Sequence, residues 1–94
     1  MEEIVSNSEE LCKYLKKMII DVLKLEEITA EEIKGDAPLF KEGLGLDSID
    51  ALELVVAIEN IFNVIIEDED VGKRALASVN ALARFIQEEY NQGK

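Results

Sequence analysis

The residues with the clearest chemical potential are Gly45-Leu46-Asp47-Ser48-Ile49, followed directly by an acidic, helix-forming stretch. A serine where a loop enters a helix has two ordinary uses. It can cap the helix, which is what serine usually does there. It can also be esterified, because a phosphodiester at that point would meet free backbone N–H groups and the positive end of the helix dipole. Asp47 and Asp50 work against a second anion. Gly43 and Gly45 let the loop turn so that Ser48 emerges outward. Spacing alone leaves both uses open and favours the cap.

The charge around this serine has one sign. The 94-residue chain holds 10 Lys plus Arg against 21 Asp plus Glu, a net charge of −11. No Lys or Arg occurs between Lys41 and Lys73, an interval holding Glu42, Asp47, Asp50, Glu53, Glu59, Glu67, Asp68, Glu69 and Asp70. Such a charge repels nucleic-acid phosphate and anionic lipid. Surfaces selected for solubility alone usually mix signs, so the pattern suggests steering toward basic partners. The plainer reading is a solvated face. Catalytic and metal-binding candidates are missing: there is no His and only one Cys, Cys12, which sits beside Leu11 and Leu15 and reads as a small hydrophobe. Counting an EF-hand loop from Asp68 fails at Gly72, where a ligand belongs.

These residues must be positioned by helices. Asn7 or Ser8 caps a first helix running to about Lys24, with Leu11, Leu15, Met18, Ile19 and Val22 on one stripe. Residues 25 to 47 have no long period. Thr29 to Glu32 has capping-box form, Gly35 and Pro38 follow, and Leu39, Phe40, Leu44 and Leu46 read as anchors pinning a loop to the core. A second helix begins near Ser48 and ends near Asn63, with Ile49, Leu52, Val55, Val56, Ile58, Ile61 and Phe62 as its apolar positions. Val64-Ile65-Ile66 reads as an extended link. A short helix then reaches about Leu76, weakened at Gly72 by about 1 kcal/mol relative to Ala. Ser78 caps a last helix with Val79, Leu82, Phe85, Ile86 and Tyr90 on one face, and the tail from Asn91 to Lys94 is expected to fray. The expectation is one all-α domain over 1–94, ordered from about 8 to 90: a four-helix bundle of three long helices, one short helix and a long first loop. The acidic N-terminus has no signal-peptide h-region, and the longest strictly apolar run, Leu54 to Ile58, cannot span a membrane. A soluble cytoplasmic protein is the default expectation.

At these residues the sequence resembles the acyl carrier protein family, the phosphopantetheine-binding carrier domains. The family motif, Asp-Ser-Leu or Asp-Ser-Ile after a Gly-x pair, reads here Gly45-Leu46-Asp47-Ser48-Ile49. Its following helix, Asp-x-x-Glu-Leu-Val-x-Ala-[Leu/Ile]-Glu, reads Asp50-Ala-Leu-Glu53-Leu54-Val55-Val56-Ala57-Ile58-Glu59. The resemblance implies an acyl-carrier-like bundle with no catalytic residue of its own. It implies that Ser48, between Asp47 and Ile49, receives 4′-phosphopantetheine covalently from coenzyme A through a separate phosphopantetheinyl transferase and Mg²⁺. Acyl groups would then ride on the arm as thioesters between acyl-transferring, ketosynthase-type and related enzymes of fatty-acid, specialised lipid or polyketide synthesis. Asp47, Asp50, Glu53 and Glu59 would meet basic docking patches, and Ile49 and Val56 would give apolar contact. Family members usually act as monomers. The chain departs from the family at Asn60-Ile61-Phe62-Asn63 and Ile66-Glu67-Asp68. Ile61 and Ile65 stand where the family is usually polar, either as extra apolar surface or as ordinary core. An unmodified interaction adaptor and a peptidyl carrier are the rival readings.

Overall fold

The computed structural model describes residues 2–39 and 47–92. The elements in order are α1 (Glu2–Ser6), α2 (Ser8–Leu23), a 3₁₀ turn (Ala30–Glu32), α3 (Ser48–Phe62), α4 (Glu69–Ala75) and α5 (Val79–Gln92). Among the described residues there is no sheet, only an isolated antiparallel bridge between Pro38 and Ser78. The expected anchors Phe40, Leu44 and Leu46, the turn glycines 43 and 45, and the last two residues of the tail lie outside the described residues.

Local side chains set the helix ends. The Glu10 N–H donates to Asn7 Oδ1 at 3.2 Å and starts α2. The helix closes on Lys24 in the left-handed conformation, with φ 53°, and the Leu25 N–H reaches back to the Ile20 carbonyl at 3.0 Å, the 6→1 bond of a Schellman end. Asn63, φ 57°, ends α3 in the same left-handed conformation but with a different bond, its own N–H donating to the Glu59 carbonyl at 2.9 Å, the 5→1 bond of an αL end. The Asp68 carboxylate accepts the Val71 N–H at 2.8 Å at the head of α4. Ser78 Oγ accepts the Ala81 N–H at 3.1 Å at the head of α5. Each of these ends falls within a residue or two of its expected place.

The core is organised around α2, which packs against α1, α3, α5 and the 3₁₀ turn. Its buried stripe is Leu11, Leu15, Met18 and Ile19. Leu54, Ile58 and Phe62 of α3 and Val79, Leu82, Ala83 and Ile86 of α5 complete the interior, with Leu39, Val64 and Leu76 from the connections. Tyr14 meets Phe62 edge to face, ring centroids 5.8 Å apart, a favoured aromatic geometry. Among the described residues no polar or charged side chain is buried.

Two features lie beyond the sequence expectation. The first is α1, five residues that pack on α2 and α5. Val5 is buried, and Gln87 Nε2 donates to the Val5 carbonyl at 2.8 Å and to Ser8 Oγ at 3.2 Å. The second is the way the long loop is held before it reaches residue 40. The Asn80 N–H donates to the Gly35 carbonyl at 2.9 Å, and the Leu39 N–H to the Ala77 carbonyl at 3.1 Å. A Cβ at Gly35 would lie 2.5 Å from Asn80 Oδ1, so the loop and the start of α5 approach as closely as glycine permits.

The fold makes two stability predictions. Val5→Ala removes two buried methyl groups and should cost about 2 kcal/mol in chemical denaturation; an unchanged midpoint would mean that α1 is no part of the core. At Gly72 an added Cβ would sit at ordinary contact distance, 3.4 Å, from Ile66 Cγ2. Gly72→Ala should therefore gain roughly 0.5–1 kcal/mol of helix propensity, read as a melting temperature higher by several degrees. A lower melting temperature would show that the Ile66 contact is already tight.

Candidate functional site

The segment around Ser48 is built by the start of α3. Asp47, not Ser48, is the N-cap: its Oδ1 accepts the N–H groups of Ile49 and Asp50, each at 3.0 Å. Asp50 returns the bond, its Oδ2 accepting the Asp47 N–H at 3.2 Å. The two carboxylates therefore form a reciprocal capping box. Ser48 occupies the first helical position, where a side chain is not required to cap.

This corrects one step of the sequence argument. The N–H groups of Ile49 and Asp50 are not free for an anion, because the Asp47 carboxylate already holds both. A phosphodiester on Ser48 would rest on the exposure of the helix start, where Asp47 and Ile49 both face solvent, and on what remains of the dipole.

The apolar positions expected for this helix divide into two sets. Leu54, Ile58 and Phe62, spaced four apart, are buried against the bundle, with Ala51, Val55, Ala57 and Ile61 packed partly beside them. Ile49, Leu52 and Val56 are instead 68%, 64% and 52% exposed. Three of the seven apolar positions named from the sequence are thus surface, in keeping with the contact role expected of Ile49 and Val56, and Leu54, absent from that set, is core. The reason is that α3 carries apolar residues nearly all the way round, so its sequence does not single out one face. Glu53 and Glu59 are exposed and Asp50 is half-buried. With Asp47, they flank these apolar positions on a helix whose own sequence holds no Lys or Arg. Ile61 is half-buried and packs on the core, whereas Ile65 is 60% exposed.

The other candidate for chemistry, Cys12, is half-buried on α2. Its thiol donates to Asn80 Oδ1 at 3.6 Å. Burial pushes the thiol pKa up, partly offset by the charge of Lys16, which is the opposite of what a reactive thiolate needs. Among the described residues, no group of three or more His, Cys, Asp or Glu side chains could hold a metal ion. No described helix is long and apolar enough to cross a membrane.

Comparison with known proteins places most of the chain in one family. The profile of the family described as "Phosphopantetheine attachment site" matches residues 13–86. The chain is 37% identical over 73 residues to an acyl carrier protein of Wolinella succinogenes, covering 78% of this chain and 88% of that protein. It is 46% identical over 59 residues to an acyl carrier protein of Nitratidesulfovibrio vulgaris, covering 63% of this chain and 72% of that protein. The helix α1 precedes the span matched by the family profile.

Two measurements check the site. Asp47→Ala should lower stability by about 1 kcal/mol through loss of the cap, with Asp47→Asn recovering most of it; equal stability for parent and Ala variant would remove the capping role. In the unmodified protein, Cys12 should react with a thiol-alkylating reagent far more slowly folded than unfolded. Equal rates would show an open thiol.

Proposed function

The chain belongs to the acyl carrier protein family, and on that premise we propose that Ser48 is where it carries its covalent 4′-phosphopantetheine. Members of this family are non-catalytic carriers. The observation that carries the assignment is the position of Ser48 at the first residue of an exposed helix start whose capping is done by Asp47. A substituent there takes no partner from the cap, which Asp47 and Asp50 close between them. Asp47 and Ile49 flank the attachment point and would lie against the first atoms of the arm. When bound, the group supplies a terminal thiol that holds acyl chains as thioesters. The chain's own residues supply an anchor point and a surface for the enzymes that act on the cargo.

That surface is α3. Glu53 and Glu59, with Asp47 and Asp50 nearer the serine, attract enzymes with Lys- and Arg-lined docking patches and raise encounter rates. Ile49 and Val56 supply the desolvated contact that holds the complex once formed. Asp50 has a second task, since its carboxylate also closes the capping box. The partners are a phosphopantetheinyl transferase, using coenzyme A and Mg²⁺, and acyl-transferring or ketosynthase-type enzymes of fatty-acid, specialised lipid or polyketide synthesis. The protein works as a cytoplasmic monomer.

The test is intact mass after incubation with coenzyme A, Mg²⁺ and a broad-specificity phosphopantetheinyl transferase. The parent should gain one phosphopantetheine, and Ser48→Ala should gain none while remaining helical by circular dichroism. Modification of the Ser48→Ala variant would move the attachment elsewhere. Loss of the modification with an unfolded variant would leave Ser48→Cys, also a non-acceptor for phosphodiester formation, as the deciding comparison.

A further inference from the structure

Among the described residues the large hydrophobic side chains that stand exposed are Ile49, Leu52, Val56 and Ile65. All four fall inside the interval from 42 to 72 that contains no Lys or Arg. The first three form one strip on α3, at spacings of three and four. Ile65 lies apart, two residues beyond the Asn63 cap, in the extended link to α4.

The link explains why Ile65 is outside. Val64 is buried, and Ile66 is half-buried and reaches Gly72. Alternation along an extended segment then turns the residue between them outward. Nothing in the bundle requires that residue to be apolar. A side chain 60% exposed adds little to the core, and a polar residue would serve an extended link equally well. Its β-branch suits extended backbone, but threonine has the same branch.

We propose that Ile65 is the far anchor of an interface running the full length of α3, occupied by an acyl-processing enzyme whose docking surface has an apolar strip flanked by Lys and Arg. This rests on the reading of α3 as the docking surface. The occupant is fixed by charge: Glu53, Glu59, Glu67, Asp68 and Asp70 are exposed along the same stretch, so an acidic or neutral apolar surface would fit poorly. It is also fixed by length. Fifteen residues of helix span roughly 22 Å at 1.5 Å each. An enzyme that touches Ser48 and Ile65 together must therefore cover the whole helix, which a contact with the first turn alone does not do.

The test uses the phosphopantetheine-loaded protein and a ketosynthase that elongates carrier-bound chains, with Kd measured by titration. Ile65→Thr keeps the β-branch and removes the apolar end, and should weaken binding about fivefold with an unchanged melting temperature. Val56→Thr is the companion variant. Weaker binding for Val56→Thr but not for Ile65→Thr would overturn the far anchor while the docking reading stands. No change in either would bring down the docking reading and the anchor together. A fall in melting temperature for Ile65→Thr would make the residue structural and overturn the proposal, as would a parent protein that does not bind.

Discussion

Everything in this bundle depends on the stripe Leu11, Leu15, Met18 and Ile19 along α2. That helix packs against α1, α3, α5 and the 3₁₀ turn, so its buried face is the common wall of the core. A domain this small buries a limited fraction of its surface and has little stability to spare. Its net charge of −11 opposes compaction through self-repulsion. The described core meets this with apolar contacts alone, since no polar side chain is buried in it. The extra helix α1 fits the same need: Val5 enlarges the interior, and Gln87 of α5 donates one hydrogen bond to Val5 in α1 and one to Ser8 at the head of α2.

With α2 as the wall, α3 meets the bundle through one side only. Leu54, Ile58 and Phe62 supply its adhesion. The opposite side is then free to carry Ile49, Leu52 and Val56, which do nothing for the fold as exposed groups. Of the acidic residues around them, Asp47, Glu53 and Glu59 are exposed and keep their hydration. One helix can thus serve folding and, on the proposed reading, docking, with the two tasks separated by about half a turn of its circumference.

The parts legible in the sequence were those set by local chemistry. Asn7, Asn63, Asp68 and Ser78 end or start helices through bonds reaching three or four residues, so the elements they bound were foreseeable. The motif around Ser48 was equally plain, because its residue types are contiguous. What stayed hidden depends on tertiary placement. Ile49 and Leu54 are equally apolar, and only the position of α2 decides that one is surface and the other core. Glu2–Ser6 is too short to show a helical period. Asp47 and Ser48 are adjacent potential caps, and the choice between them follows from where the first helical turn begins.

That choice has a consequence for a carrier. If the serine, or an anion on it, satisfied the first N–H groups of α3, the start of the helix would differ between the unmodified and modified protein. The proposed docking strip begins at Ile49, so its geometry would differ as well. With Asp47 and Asp50 bonding to each other's backbone, the N–H groups of Asp47, Ile49 and Asp50 are held by two carboxylates that belong to the helix start itself. The capping box costs some repulsion against a phosphodiester, since it puts carboxylates beside the attachment point. In return, if Ser48 is the attachment point as proposed, the same surface would be offered to the transferase before modification and to acyl-processing enzymes after it. A rigid recognition surface joined to a flexible cargo arm requires this separation, and here it rests on two aspartates three residues apart.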